Sequence, residues 1–230
     1  MSNTILIIDT ATENCSAALH HEGKTYAQVE EAPREHSQKI LPMVDDLLAQ
    51  AGLTLNQVSA IGFGRGPGSF TGIRIGTAMM QGLSLGADLP VLPISNLAAM
   101  AQGAIDLGAK EVMAAIDARM GEVYLGHFVA KDGLATLVGE ERVLKPQDAM
   151  AQWQLQGDAV VAVGTGFETY PELLADERLE FDARCRLPTA QMMLPLAQAM
   201  WQAGEALPLE QVEPVYLRNE VAWKKLPGRE

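Results

Sequence analysis

Two aspartates close apolar runs in this chain: Asp9 ends Thr4 to Asp9, and Asp117 ends Glu111 to Asp117. Two such carboxylates facing one cleft can hold a magnesium ion through water or position the phosphates of a nucleotide. The other reading is local. An Asp directly after a strand caps the next turn by accepting backbone N–H bonds, and this is the commoner role. Thr10 follows Asp9, and Gly164-Thr165-Gly166 follows a later apolar run. Asp9, Thr10, Asp117, Gly164 and Thr165 are therefore the candidate nucleotide or anion residues.

The stretch Gly62 to Gly76 is the second candidate. A short apolar run, Val58 to Phe63, leads into Gly64, Gly66, Pro67 and Gly68, and Ser69 or Thr71 can then cap a helix. A strand, a glycine turn and a helix N-terminus present several unpaired N–H groups to one point. They can hold an anion or simply form a rigid corner. The loop has no Gly-Lys-Ser or Gly-Lys-Thr, so it is not a Walker loop, and Ser69 lies outside Gly-x-Ser-x-Gly spacing. The four histidines, His20, His21, His36 and His127, form no His-x-x-x-His pair, so a zinc site is not supported. His36 reads as an exposed loop residue ahead of a helix, able to cap it or touch a partner. Cys15 and Cys185 sit in no metal or redox spacing and read as ordinary reduced thiols. No nucleophile–base constellation is legible.

The elements that must place these residues repeat. Thr4 to Asp9 reads as a central strand, and Cys15 to His21 with Lys24 to Glu31 reads as a hairpin around Glu22-Gly23. After helices at Ser37 to Gln50, Ser69 to Leu85 and Ser95 to Gly103, and a strand at Leu89 to Ile94, the pattern restarts. Glu111 to Asp117 is again a strand ending in Asp, and Gly121 to Ala130 with Leu134 to Val143 is again a hairpin, around Asp132-Gly133. A helix over Pro146 to Trp153, a strand over Ala159 to Val163 and a late helix over Thr189 to Gln202 follow. The tail Pro214 to Asn219 reads as a packed extended segment. Two lobes result, each a strand meander with crossover helices, and they divide near residues 104–110.

The chain has 230 residues, 48% of them hydrophobic, and a formal net charge of −12. That charge excludes an independent nucleic-acid surface, which needs clustered Lys and Arg. Arg65, Arg74 and Lys224-Lys225 are scattered, so any nucleic acid would be held by a basic partner. The first apolar run, Ile5 to Ile8, is too short for a signal peptide, and no apolar stretch reaches the roughly 20 residues of a membrane span. A cytoplasmic protein without membrane attachment is expected. Two helices stand out as surfaces. Ser37 to Ala51 carries an apolar stripe, and Ser69 to Leu85 carries Gly72, Gly76, Ala78 and Gly82 beside Met79, Met80 and Leu83. Glycine inside a helix costs about 1 kcal/mol relative to alanine, so close approach of another backbone is the expected compensation. Either a second such face completes a four-helix bundle, or both stripes pack on their own sheet.

Several blocks carry a resemblance. They are Ile7-Ile8-Asp9-Thr10-Ala11-Thr12, Arg34-Glu35-His36-Ser37 with Leu41-Pro42, the loop Gly64 to Gly76, Ile116 to Tyr124, Val163 to Gly166, and Pro214 to Asn219. In this order, over nearly the whole chain, they resemble the TsaB (YeaZ) family. The resemblance implies an α/β, actin/hexokinase-like (ASKHA) fold of two lobes with mixed sheets. The lobes would be 1–105, bearing partner-binding helices, and a smaller 106–230, with the C-terminal tail packing back. It implies a scaffold role in making threonylcarbamoyladenosine beside the anticodon of tRNA. The chain would be a catalytically inactive paralogue of the transferase TsaD, binding TsaD together with TsaE and meeting tRNA only through that complex. Alone, it would form a homodimer through the same helices. The implied interface is His36, Ile40, Leu41, Val44, Leu48, Gly72, Ile75, Gly76, Met79, Met80 and Leu83. No cofactor is required, and weak binding of ATP or ADP with magnesium is the ligand the fold would retain. The alternative is a nucleotide-binding or ATP-hydrolysing protein of the same fold.

Overall fold

The computed structural model describes residues 3–153 and 155–218. Asn219, at the end of the expected tail, and Lys224-Lys225 lie outside the described residues.

Chain order explains the first sheet. Strands β1 (Ile5–Asp9), β2 (Asn14–His21) and β3 (Lys24–Glu31) form an antiparallel meander. Helix α1 (His36–Ala51) crosses over to β4 (Ala60–Gly66), and α2 (Phe70–Ala87) crosses over to β5 (Val91–Ser95). Both crossover strands pair in parallel, giving the order β3-β2-β1-β4-β5. All of β1 is buried, which is why it reads as an unbroken apolar run. Its side chains alternate between two cores. Leu6 and Ile8 face α1 and α2, where Ile40, Val44, Leu47 and Met80 meet them. Ile5 and Ile7 face the opposite layer.

The second sheet repeats this plan. Strands β6 (Glu111–Arg119), β7 (Glu122–Lys131) and β8 (Leu134–Leu137) form the meander. The crossovers lead to β10 (Val160–Val163) and β11 (Leu179–Phe181), both parallel, in the order β11-β10-β6-β7-β8. A short strand, β9 (Arg142–Leu144), also pairs with β7. The expected single strand over Leu134 to Val143 is thus split, because Gly139 at φ 79° turns the chain between its halves. Helices α4 (Pro146–Gln152) and α5 (Thr165–Thr169) cover one face. The duplicated five-strand order makes this the two-lobed actin/hexokinase-like fold.

Between the sheets stands α3 (Asn96–Asp106), capped by Ser95 Oγ accepting from the Ala98 N–H at 3.2 Å. Nine of its eleven residues are buried, so it has no solvent face and acts as a pillar. Its Ala99 joins the first-lobe core, while Leu97, Met100, Ala101 and Ala104 join the second. Gln102 makes the pillar's polar tie. Its amide donates to Asp106 Oδ1 and the Gly133 carbonyl, and its carbonyl oxygen accepts from the Ala135 N–H, so the β7–β8 turn is fixed.

Two expectations need correction. Helix α6 (Ala190–Ala203) does not belong to the second lobe. Its Ala190, Met193, Leu194 and Ala197 cover the free face of the first sheet, and Ser16 Oγ accepts from the Ala190 N–H at 2.9 Å. The chain passes from the first sheet to the second between α3 and β6 and then returns. Nor are Gly72 and Gly76 cleared for a partner. A Cβ at Gly72 would collide with the Thr10 carbonyl, and one at Gly76 would lie 2.8 Å from Thr10 Oγ1. The β1–β2 turn fills that groove, and the Thr10 hydroxyl donates to the Gly72 carbonyl at 2.8 Å. By contrast, among the described residues nothing lies within 4 Å of a Cβ built at Gly82 or Gly86.

Among the described residues no helix is long and apolar enough to cross a membrane. The two kinds of helical glycine give opposite expected outcomes. Gly82→Ala stabilises by about 1 kcal/mol through helix propensity. Gly72→Ala destabilises by about 1–3 kcal/mol through overpacking. Urea unfolding of both variants checks the pair.

Candidate functional site

The carboxyl-terminal ends of β1 and β6 point toward a cleft of about 810 Å³ between the lobes. The first lobe contributes Thr12, Glu13, Arg34, His36 and the start of α2 from Ser69 to Gly72. The second contributes Asp117, Ala118, Arg119, Thr165 and Glu168. Arg186 and Arg218 complete the lining.

The two aspartates hold equivalent topological positions but unequal chemical ones. Asp9 is buried and does not line the cleft. Its Oδ1 accepts from Asn96 Nδ2 at 2.8 Å and from the Ala11 N–H at 3.3 Å. Its Oδ2 is buried with no hydrogen-bond partner. Burial pushes this carboxyl up to about 6, against the opposing pull of Asn96 and of the Ala11 and Thr10 backbone. Gly64 is obligatory beside it, because a Cβ there would overlap Asp9 Oδ1. The sequence assigns Gly64 and Gly66 to a loop, but β4 runs on through them because they continue the parallel pairing with Ile94 and Ser95 of β5. Asp117 does reach the cleft. Its Oδ1 accepts from the Arg119 N–H at 2.9 Å, and its Oδ2 lies 3.0 Å from the Arg119 guanidinium. Each Asp therefore caps the turn that follows it. They do not converge on one ion.

Thr165 Oγ1 accepts from the Asp117 N–H at 3.1 Å, so it too faces the cleft floor. Gly164 lies beneath, at φ 103° and against the Ala115 carbonyl, where no other residue fits. Thr10 is buried in its bond to Gly72. Of the five candidate residues, then, only Asp117 and Thr165 are cleft-lining. The glycine stretch makes a corner. Ser69 Oγ accepts from the Gly72 N–H at 3.0 Å, and the Ser69 N–H donates to the Ala11 carbonyl at 2.7 Å. His36 is buried rather than exposed, and its Nε2–H donates to the Thr12 carbonyl at 2.9 Å. That bond locks the start of α1 to the β1–β2 turn. Cys15 and Cys185 are buried, and burial pushes both thiols up to about 11. No group of three His, Cys, Asp or Glu side chains among the described residues is placed to hold a metal ion.

The other candidate surface is the outside of α2. Thr71, Ala78, Gly82 and Leu85 are exposed and Ile75 is half-buried, at alternating spacings of four and three, so the stripe starts at the cleft, which Thr71 and Ile75 line, and runs outward to Leu85. This is the spacing of a helix–helix seam. Leu85 is 73% exposed, and Leu41 of α1 is 39% exposed.

A family profile described as "TsaD: tRNA N6-adenosine threonylcarbamoyltransferase" matches residues 24–226. The "tRNA threonylcarbamoyladenosine biosynthesis protein TsaB" of Escherichia coli is 50% identical over 230 residues, covering 98% of this chain and 99% of that protein. Its namesake from Haemophilus influenzae is 48% identical, covering 99% and 98%.

The chain belongs to the TsaB family.

A solved structure from Pseudomonas aeruginosa superposes with a TM-score of 0.87 at 45% identity, covering 94% of this chain and all of that one. It is described as an uncharacterised protein with similarity to peptidase YeaZ. In this TsaB-family chain the implied interface residues divide by burial. Ile40, Val44, Leu48 and Met80 lie in the first-lobe core, and His36, Gly72 and Gly76 are held by the β1–β2 turn. All seven are buried, and His36 and Gly72 border the cleft. Leu41 is exposed, and Ile75, Met79 and Leu83 are half-buried. The sequence reading missed Leu85 and Asn96. An apolar residue on a helix signals burial by default, and a single Asn after a cap carries no signal of what it will bind.

The raised Asp9 carboxyl makes a pH-dependent contribution of defined sign. An acid whose folded value exceeds its unfolded value of 3.8 stabilises most below that value, and the contribution is lost as pH rises through about 6. The loss is at most about 3 kcal/mol at 1.36 kcal/mol per unit. Urea unfolding from pH 4.5 to 7.5 should show this step in the wild type and not in Asp9→Asn. A pH-independent difference between the two means that Asp9 ionises freely.

Proposed function

We propose that this protein is a non-catalytic subunit in tRNA threonylcarbamoyladenosine formation that acts by binding TsaD, with TsaE joining the assembly. The observation that carries the reading is the outer stripe of α2. Thr71, Ile75, Ala78, Gly82 and Leu85 form a small and apolar seam, with open space over Gly82 among the described residues. Another helix can approach closely along such a seam. The partner is inferred from family membership, and the same seam would join two copies when TsaD is absent. The state of the two aspartates supports a role without catalysis. Asp9 is sealed under Asn96, and Asp117 is tied to Arg119. The net charge of −12 supports leaving tRNA to the partners. Such a subunit activates by binding the active arrangement of its partner more tightly than the inactive one.

A second reading rests on the cleft. A volume of about 810 Å³ suits a small ligand, and ATP or ADP with magnesium is the class the fold suggests. The fit is partial. Asp117 is the one aspartate of the pair that reaches the cleft, and a magnesium ion there would compete with Arg119. Calorimetry with ADP and magnesium tests this reading: a heat of binding that Asp117→Asn abolishes supports it.

The scaffold reading has a sharper test. Gly82→Leu fills open space on the seam while improving helix propensity by about 0.5–1 kcal/mol. The variant should be at least as stable as the wild type, yet bind TsaD about tenfold or more weakly. It should also fail to support product in a reconstituted tRNA modification. Wild-type yield with Gly82→Leu would sink the assignment of this face.

A further inference from the structure

The chain after α6 returns across both lobes. Val212 is buried in the core of the first lobe, beside Val91 and Met80. Three residues on, the Val215 N–H donates to the Arg65 carbonyl at the end of β4, at 2.8 Å. The Val215 carbonyl lies over Gly66, where an added Cβ would stand 2.7 Å from it, and Gly66 has φ 106°. Space and backbone conformation at Gly66 are thus both shaped to let the segment lie down. Tyr216 then packs on Phe70 with ring centroids 5.6 Å apart, and the Arg74 guanidinium sits 3.6 Å from the Phe70 centroid.

The next contacts are on the other lobe. Arg218 donates to the Glu122 carboxylate, to the Arg119 carbonyl at 3.3 Å, and to Met120 Sδ at 3.6 Å. All three belong to the β6–β7 turn, where Arg119 and Met120 adopt left-handed φ values of 63° and 58°. Arg218 and Glu122 are each less than one-third exposed, so this pair is more than a solvated surface contact. Six residues therefore run from a core anchor in one lobe to a charge-assisted anchor in the other, where Arg218 lines the cleft. Opening the lobes about the α3 pillar must break one of these anchors.

We propose that residues 213–218 are a strap that holds the two lobes closed, with Tyr216 on Phe70 and Arg218 on Glu122 as its two fastenings. It is a conformational device set by this chain's own tail, and it goes beyond the partner-binding reading. Spin labels at Gln38→Cys in α1 and Glu172→Cys beyond α5, both exposed positions, report the distance across the cleft in the full-length chain. The native Cys15 and Cys185 are buried and do not compete for label. Diluted with unlabelled chain so that only distances within one chain are read, the strapped protein should give one narrow distance distribution. Arg218→Ala should broaden it and shift it to longer distance, with the circular dichroism unchanged. Glu122→Ala and Tyr216→Ala should reproduce that shift, and Glu122→Ala combined with Arg218→Ala should add nothing to either alone. A distribution unchanged by Arg218→Ala overturns the proposal. So does a shift in Arg218→Ala that Glu122→Ala fails to reproduce.

Discussion

One buried amide organises the junction of the lobes. Asn96 donates from Nδ2 to the Asp9 carboxylate and accepts at Oδ1 from the Gly66 N–H at 2.9 Å. Those bonds join the end of β1, the end of β4 and the first turn of α3. The three elements can meet only if nothing intrudes, so Gly64 has no side chain. A buried amide that lost either partner would leave a desolvated polar group, at a cost of about 1–3 kcal/mol for each. The same arrangement removes Asp9 from the cleft. An aspartate that could serve chemistry in a two-lobed fold is used here to hold the lobes' common pillar.

The duplicated plan makes the divergence of the halves readable. In each lobe the helix that follows the first parallel strand leads from the cleft. In the first lobe this is α2, with 18 residues and an outward seam. In the second it is α5, with five residues. The inner side of α2 is matched to the β1–β2 turn through Gly72 and Gly76. On its outer side, among the described residues, nothing lies within 4 Å of a Cβ built at Gly82 or Gly86. That asymmetry sets the surface of the first lobe apart from that of the second. The second lobe meets it through α3, through the Glu141 carboxylate accepting from Ser95 and lying 3.4 Å from the Arg65 guanidinium, and through the tail.

Much of the local structure was legible because its causes are local. Ser69, Ser95 and Thr189 each cap the helix they precede. Both Asp residues after strands cap turns, and both meanders turn where glycines follow acidic residues at 22–23 and 132–133. The repeat of a strand ending in Asp forecast two lobes with matching sheets. The site was less legible. Helical glycines signal close approach without naming what approaches, and here it was Thr10 of the same chain. His36 precedes a helix, which usually means exposure, but the β1–β2 turn folds over it. The stripe of α1 read as a surface because nothing in its spacing says that one sheet consumes it.

The sequence by itself determined the kinds of element, their caps and the internal duplication, because these follow from backbone preference and from apolar periodicity over a few residues. It also determined the acidity that argues against independent nucleic-acid binding. Tertiary structure alone decided which faces remained free. Burial is a property of the whole packing: α6 travels back to the first sheet, α3 loses its solvent face between the two sheets, and Asp9 is sealed while Asp117 stays open. Charge and hydrogen-bonding capacity are fixed by residue type. Whether they remain accessible depends on distant chain segments that no local window contains.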